Sequence, residues 1–308
     1  MTKLIPALIL SLPGLLGSAI AAELSADKVS EIVGVKATTT SDGVVRVGWP
    51  RKDVEVQVDG LTMRPFMGLG AWAAFQKTDD GAMLMGDTVV FQDEVNPALD
   101  AALANGLEVT AIHNHFFFDE PKVYFMHIGG CGDDPDKLAH GVKAVWDAIK
   151  EVRKANPQPA KRFVAGVVTP GKLDTDKIAG IVGTKGDLQD EVYKITIGRN
   201  AEMNGMKFDG SMGLTTWAAF AGTDDLAVVD GDFAMTANEV QPVLKALRAA
   251  DINIVALHNH MNGETPAIYF THFWGKGKAS NLATGLKEAL RAQADAPKAG
   301  QSHKMMSK

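Results

Sequence analysis

The sequence predicts an α+β fold built from two tandem duplicated domains, each a mostly antiparallel sheet with helices packed on it, the two related by a pseudo-twofold axis. Three observations carry this reading. The chain has 308 residues, enough for two domains of about 150. It repeats itself: residues 67–130 align with residues 212–275 at a constant shift of 145 without a gap, and 28 of the 64 positions are identical. Within each copy, strand-like segments come in adjacent pairs between helical ones, which favours an antiparallel sheet with helices against it over a βαβ arrangement.

Taken in chain order, the first element is a leader. Lys3 is followed by an apolar stretch, Leu4 to Leu16, and then by Ala19-Ile20-Ala21. A positive start, a short apolar run and small residues in the A-x-A arrangement make a secretory signal peptide over residues 1–21. The apolar run is shorter than the ~20 residues a membrane-spanning helix needs, so no transmembrane segment is expected in the mature protein. The first repeat then covers 22–153, a linker holding Pro157, Pro159 and Pro170 covers 154–171, the second repeat covers 172–293, and a polar, mobile tail covers 294–308.

Each repeat opens on a short helix. Ser25 in one copy and Asp174 or Thr175 in the other are suitable caps, and Gly34 and Gly183 are suitable stops. Val54, Val56 and Val58 alternate as in a half-buried strand, and Trp72 to Phe75 read as a strand ahead of a turn at Thr78 to Gly81. A helix follows: Thr236 and Glu239 have capping-box spacing, and Val240, Val243, Leu244 and Leu247 make one apolar face. Two strands come next, Leu107 to His115 and Lys122 to Ile128, joined by a short loop and matched in the second copy. A final helix carries Leu138, Val142, Val145 and Ile149, with Leu282, Leu286 and Ala289 as the matching stripe.

Composition excludes some functions. Lys and Arg number 31 against 37 Asp and Glu, for a net charge of −6, so there is no excess of cations to collect phosphates, and nucleic-acid binding is not expected. With Cys131 as the one cysteine, no internal disulfide can form.

The chemistry lies in the histidines. Six of the eight are paired by the duplication: His113, His115 and His127 with His258, His260 and His272. Residues two apart on a strand share a face, so His113 and His115 point the same way. If the next strand folds back with His113 opposite Phe125, His127 falls opposite Ala111 on that same face, and neighbours of this kind lie within about 5–8 Å. Three imidazoles then converge. Neutral imidazole is the commonest metal-ligating side chain, and three protein ligands with one open position is the usual reactive zinc site. A divalent transition metal, Zn or Cu, is the expected cofactor, with Glu264 as a carboxylate to complete the set; Asp119 and Glu120 stand near the same place in the first copy. The spacing His-x-His-x-x-x-Glu is similar to the first metal motif of cupins, but those are all-β barrels. Glu94 and Glu239 also match between the copies and are candidate ligands or bases, although an acid in the first turn of a helix is favourable without any such role. Cys131 is a candidate soft ligand in one copy only, because its counterpart is Lys276.

At TWAAFAGTDDLAVVDGDF, at the NEV that opens the following helix, and at LHNH with YFTHFWG, the chain resembles the LppY/LpqO-like family of bacterial exported proteins, catalogued as a domain of unknown function. The resemblance covers essentially the whole mature chain. It implies an envelope location and the duplicated arrangement, and it brings no activity with it. The lipid-accepting cysteine of lipoprotein members is missing near the cleavage site. The function expected is therefore a periplasmic or secreted, soluble protein that binds a transition metal or a small envelope ligand through its duplicated histidine hairpins. The alternatives are a metal-dependent hydrolase acting on a cell-envelope substrate and a metal-free enzyme using histidine acid–base chemistry. The pairing of the copies leaves open two separate sites or one composite site.

Overall fold

The computed structural model describes residues 24–79, 81–163 and 166–297. The leader over 1–21 and most of the tail expected over 294–308 lie outside these described residues. The first repeat runs α1 (Ala26–Val33), β1 (Ala37–Thr39), β2 (Val45–Pro50), β3 (Gln57–Val58), β4 (Leu61–Thr62), β5 (Gly70–Thr78), β6 (Gly81–Phe91), α2 (Val95–Ala104), β7 (Glu108–His113), β8 (Asp119–Glu120), β9 (Val123–Gly132) and α3 (Pro135–Ala155). The second runs α4 (Thr175–Val182), β10 (Asp187–Gln189), β11 (Val192–Gly198), β12 (Ala201–Met203), β13 (Met206–Phe208), β14 (Thr215–Gly222), β15 (Ala227–Thr236), α5 (Ala237–Ala249), β16 (Asn253–Asn259), β17 (Ile268–Gly277) and α6 (Ala279–Ala294).

Both copies contribute to a single twelve-stranded sheet, in the order β1-β2-β5-β6-β9-β7-β16-β17-β15-β14-β11-β10. Every neighbouring pair is antiparallel, and the two halves meet where Leu257 on β16 faces Ile112 on β7. The order reads the same from either end, which is the pseudo-twofold relation expected of the duplication. The helices pack on one face of this sheet, over a core that is continuous between the copies: Leu99, Met126 and Trp146 from one belong to the same buried cluster as Leu244, Phe273 and Leu286 from the other. The apolar stripes named for the sequence-predicted helices α3, α5 and α6 are buried as their 3.6-residue spacing requires.

The central seam is held by a symmetric exchange. The Gln241 side-chain amide donates to the carbonyl of Val109 at 2.8 Å and accepts its N–H at 3.1 Å. Asn96, its counterpart, makes the same two bonds to Ile254, at 3.2 and 2.8 Å. Val109 and Ile254 adjoin matching irregularities in the ladder, where the pairing of β7 with β9 shifts between Val109 and Ala111 and that of β16 with β17 shifts between Ile254 and Ala256. A bulge leaves backbone groups unpaired, and an amide side chain, having both a donor and an acceptor, satisfies an N–H and a carbonyl at once.

Two expectations about strands are corrected. Val54 and Val56 are buried, but in a loop rather than a strand; only Gln57 and Val58 pair, with β4 and β8. Their alternation reflects a small apolar cluster with Leu69, Val89, Phe91, Val123 and Phe125 on the face of the sheet away from the helices. The strand expected to reach His115 ends at His113, where the chain leaves the ladder to pass over that same cluster.

Candidate metal centre

The histidines sit on the face opposite the helices, and the bulges help to place them there. On β16, Ile254 and Leu257 are buried toward the helices although they are three apart, because the extra residue at Val255 resets the alternation; His258 then points away from the core. Thr110 does the same for His113 on β7. The register expected from the sequence is observed: His113 faces Phe125 and Ala111 faces His127, while His258 faces Phe270 and Ala256 faces His272.

One further strand outward, Asp87 on β6 faces His127 and Asp232 on β15 faces His272. These two aspartates were not among the residues singled out in the sequence. They occur as Gly86-Asp87 and Gly231-Asp232 at the 145-residue shift. An acid repeated inside a strand, where Asp is depleted, is the signal that points to them.

In the second repeat the nitrogen or oxygen donors of Asp232, His258 and His272 all lie within 4.8 Å of one another, the only such set of three or more His, Cys, Asp or Glu among the described residues. Nδ1 of His272 lies 3.3 Å from the carbonyl of Gly231, and Nδ1 of His258 lies 3.4 Å from that of Asn259. A carbonyl can only accept, so a ring that donates from Nδ1 to it and is otherwise unprotonated has Nε2 free as a ligand atom, the way metal-binding histidines are oriented by their surroundings. Nε2 of His258 and Oδ1 of Asp232 are buried with no hydrogen-bond partner. Buried polar atoms are almost always satisfied, and two orphaned ligand atoms side by side are what a cation would satisfy. His260 stands at the edge, with Nε2 3.4 Å from Oδ2 of Asp232 and its ring stacked at 3.4 Å on Phe270.

In the first repeat, His113 and His127 bring their Nε2 atoms to 3.1 Å, and Nε2 of His127 lies 3.8 Å from Oδ2 of Asp87. His115 stacks on Phe125 at 3.4 Å, as His260 does on Phe270. Here the two Nε2 atoms lie within hydrogen-bond distance of each other, a direct contact that His258 and His272 do not make.

Burial raises Asp87 above the usual carboxylate range against the pull of His127, His115 and His113. It raises Asp232 likewise against His272, His260 and His258. Burial also lowers His115, reinforced by His113 against the pull of Asp87, and lowers His260 against the pull of Asp232. Imidazoles held neutral at pH 7 are ready as ligands, since a proton competes with a metal for the same lone pair.

The remaining candidates lie elsewhere. Glu264 caps the start of β17: one carboxylate oxygen accepts the N–H of Ile268 at 2.8 Å, and the other is buried without a partner. Its counterpart Asp119 does the same for Val123 at 2.7 Å and also pairs with Lys122. Glu94 is fully buried between Arg51 and Arg153, and Glu239 is held by Arg199, Gln293 and the N–H of Thr236. Both are structural anchors of the helices they open.

The two clusters abut. Extending the Leu257–Ile112 pair by one residue each way sets His113 opposite Ala256 and His258 opposite Ala111, so the two histidines are diagonal neighbours across the central strands, about 7–8 Å apart between Cα atoms. To one side stands the apolar cap over Val89 and Phe125; to the other stands its counterpart over Ala234 and Phe270. Between the caps the floor is made of Ala111, Ala256 and the histidines, with an aspartate at each end.

The two halves of this arrangement are also the two segments, residues 27–148 and 176–292, that match the family model described as a domain of unknown function, DUF1259. The chain belongs to the DUF1259 family. Its two DUF1259 regions span the two sets of strands and helices that meet at the seam. No curated protein matches the chain. Among solved structures, the trimeric bacterial microcompartment shell protein PduB aligns at 9% identity with a TM-score of 0.19, and EtuB from Clostridium kluyveri at 13% with a TM-score of 0.20. Each alignment covers 83% of this chain and 89% of the other. Superpositions at that level carry no argument about this DUF1259 protein. None of its described helices is long and apolar enough to cross a membrane.

Proposed function

We propose that this protein binds a divalent transition metal, Zn or Cu, through Asp232, His258 and His272 in the second repeat and through Asp87, His113 and His127 in the first. The observation that carries this reading is the pair of buried, partnerless ligand atoms, Nε2 of His258 and Oδ1 of Asp232, inside a group whose donors lie within 4.8 Å. Two imidazoles and a carboxylate with room for a further ligand suit Zn and Cu, and the affinity order alone does not choose between them. His115 and His260, exposed at the rim, are placed to join as fourth ligands after rotation. Glu264 holds the loop that carries His260 rather than the ion. The leader-like residues 1–21 and the resemblance to LppY/LpqO-like proteins support export and an envelope location, so the ion would be captured outside the cytoplasm.

The test is elemental analysis of purified protein after dialysis against Zn or Cu, for the parent, His258→Ala and His113→Ala. The reading expects one to two ions per chain, with one site lost in each variant. Metal content below about 0.2 per chain in the parent, where a bound site would be near full occupancy, would overturn it.

A further inference from the structure

The sheet face that carries the first cluster continues into three sulfur side chains. On β6, Met83, Met85 and Asp87 alternate onto the face away from the helices; on β9, Cys131, Gly129 and His127 do the same. In register, Met83 faces Cys131, Met85 faces Gly129 and Asp87 faces His127. We propose that Met83, Met85 and Cys131 form a separate site for a soft monovalent ion of the Cu(I) or Ag(I) kind, one step along the same strands from the histidine cluster and chemically distinct from it.

Facing residues of an antiparallel pair have Cβ atoms about 4.5–5.5 Å apart, and diagonal neighbours lie about 7–8 Å apart, so Met83 is beside Cys131 and Met85 is one diagonal away. Gly129 puts no side chain between Met85 and Cys131. A methionine has three rotatable bonds, which lets both thioethers close on an ion held by the thiolate. Cys131 is exposed, and Met85 keeps 60% of its surface in solvent, so the sulfurs are reachable. One exposed methionine is ordinary. Met85 together with the half-buried Met83 and the one cysteine of the chain, on facing strands, gives a thiolate and two thioethers, a soft ligand set suited to Cu(I) and not to the harder ions. The second repeat lacks it: Val228, Asp230 and Lys276 occupy the equivalent places. Binding replaces the thiol proton with the ion, so one proton is released and one thiolate charge offsets the monovalent cation.

The experiment is an anaerobic titration of reduced protein with Cu(I), and separately with Ag(I), against a chromophoric Cu(I) chelator. The variants are Cys131→Ser, Met83→Leu/Met85→Leu, Met85→Leu alone and His113→Ala/His127→Ala. Leucine conserves volume, and the single variant serves if the double one folds poorly. The expected result is one tight ion per chain, weakened at least tenfold by Cys131→Ser and by the methionine variants, retained in the histidine variant, with only sulfur in the first shell by X-ray absorption. If the methionine variants bind as tightly as the parent, Cys131 is acting as a bare thiol and the proposal fails. If the histidine variant loses the ion, it belongs to the imidazole cluster and the proposal fails equally.

Discussion

Asp232 and His272 face each other directly across β15 and β17, and Asp87 and His127 repeat the relation across β6 and β9. In each repeat an acid, buried at Asp232 and half-buried at Asp87, thus stands behind the imidazoles that the hairpin presents. If the acid is a ligand, removing its charge weakens the ion without disturbing the rings. Asp232→Asn is expected to lower Zn affinity at the second site by at least about tenfold, read by competition with a chromophoric chelator, while a variant carrying Asp87→Asn keeps that site intact. Equal affinities in Asp232→Asn and the parent would remove the aspartate from the ligand set.

Glu94 provides a contrast between a repeated acid that is structural and one that is a ligand. Its carboxylate is 0% exposed and bonds Arg51 twice at 2.9 Å and the N–H of Phe91 at 2.9 Å, with Arg153 at 2.8 Å. Glu94→Ala removes the carboxylate that the buried Arg51 and Arg153 share and leaves them Asp53 and Asp93 as acidic partners, and breaking a buried ion pair of this kind costs about 3–5 kcal/mol. Urea denaturation is expected to show that loss, with metal content per folded chain unchanged. A loss of metal at unaltered stability would give Glu94 a role at the site.

Much of the fold and the histidine set was legible in the sequence because both depend on short-range rules. The 145-residue shift fixed the duplication, and once His113 is taken to face Phe125, period-2 geometry alone sets His127 opposite Ala111. Asp87 and Asp232 were not found because they sit on a strand neighbouring the hairpin, and which strand flanks it is a matter of sheet order. The single shared sheet was equally invisible. It depends on Ile112 meeting Leu257 and on Asn96 and Gln241 reaching across the seam, contacts between residues well over a hundred positions apart. Glu264 was drawn to the histidines by its spacing in the chain, whereas the loop turns it back to cap Ile268.

Stability in acid should depend on Glu239. Burial raises its carboxyl, but the hydrogen bonds from Arg199, Thr236 and Gln293 and the charge of Arg199 outweigh it, so the group titrates below its ordinary 4.5. A carboxyl lowered on folding adds stability that is fully present above the unfolded value and is lost as the pH falls through the folded one. Glu239→Gln is therefore expected to be less stable at pH 7 and to lose less on going from pH 5 to pH 3, the two curves converging in acid. Parallel curves across that range, followed by circular dichroism in urea, would refute the assignment.

The last prediction concerns the glycine before each of these aspartates, Asp87 and Asp232. A Cβ built on Gly231 would lie 2.2 Å from the Phe273 ring and 2.4 Å from the carbonyl of Trp217. Both Gly231 and Phe273 face the helices, and they oppose each other across β15 and β17, so the absent side chain is what lets the phenyl ring lie flat over β15. Phe273 itself is fully buried and cannot swing aside without opening the core. Gly231→Ala must push β15 away from β17 or displace the ring, an overpacking cost of about 1–3 kcal/mol. Asp232 is the next residue on β15, so the same displacement moves its carboxylate relative to His272. Gly231→Ala is expected both to lower the melting temperature and to weaken metal at the second site, while Gly86→Ala does the same at the first, more mildly, since its nearest atoms are at 2.8 Å and 3.0 Å. A Gly231→Ala protein that melts lower yet binds metal as the parent does would separate the packing of β15 from the geometry of the site.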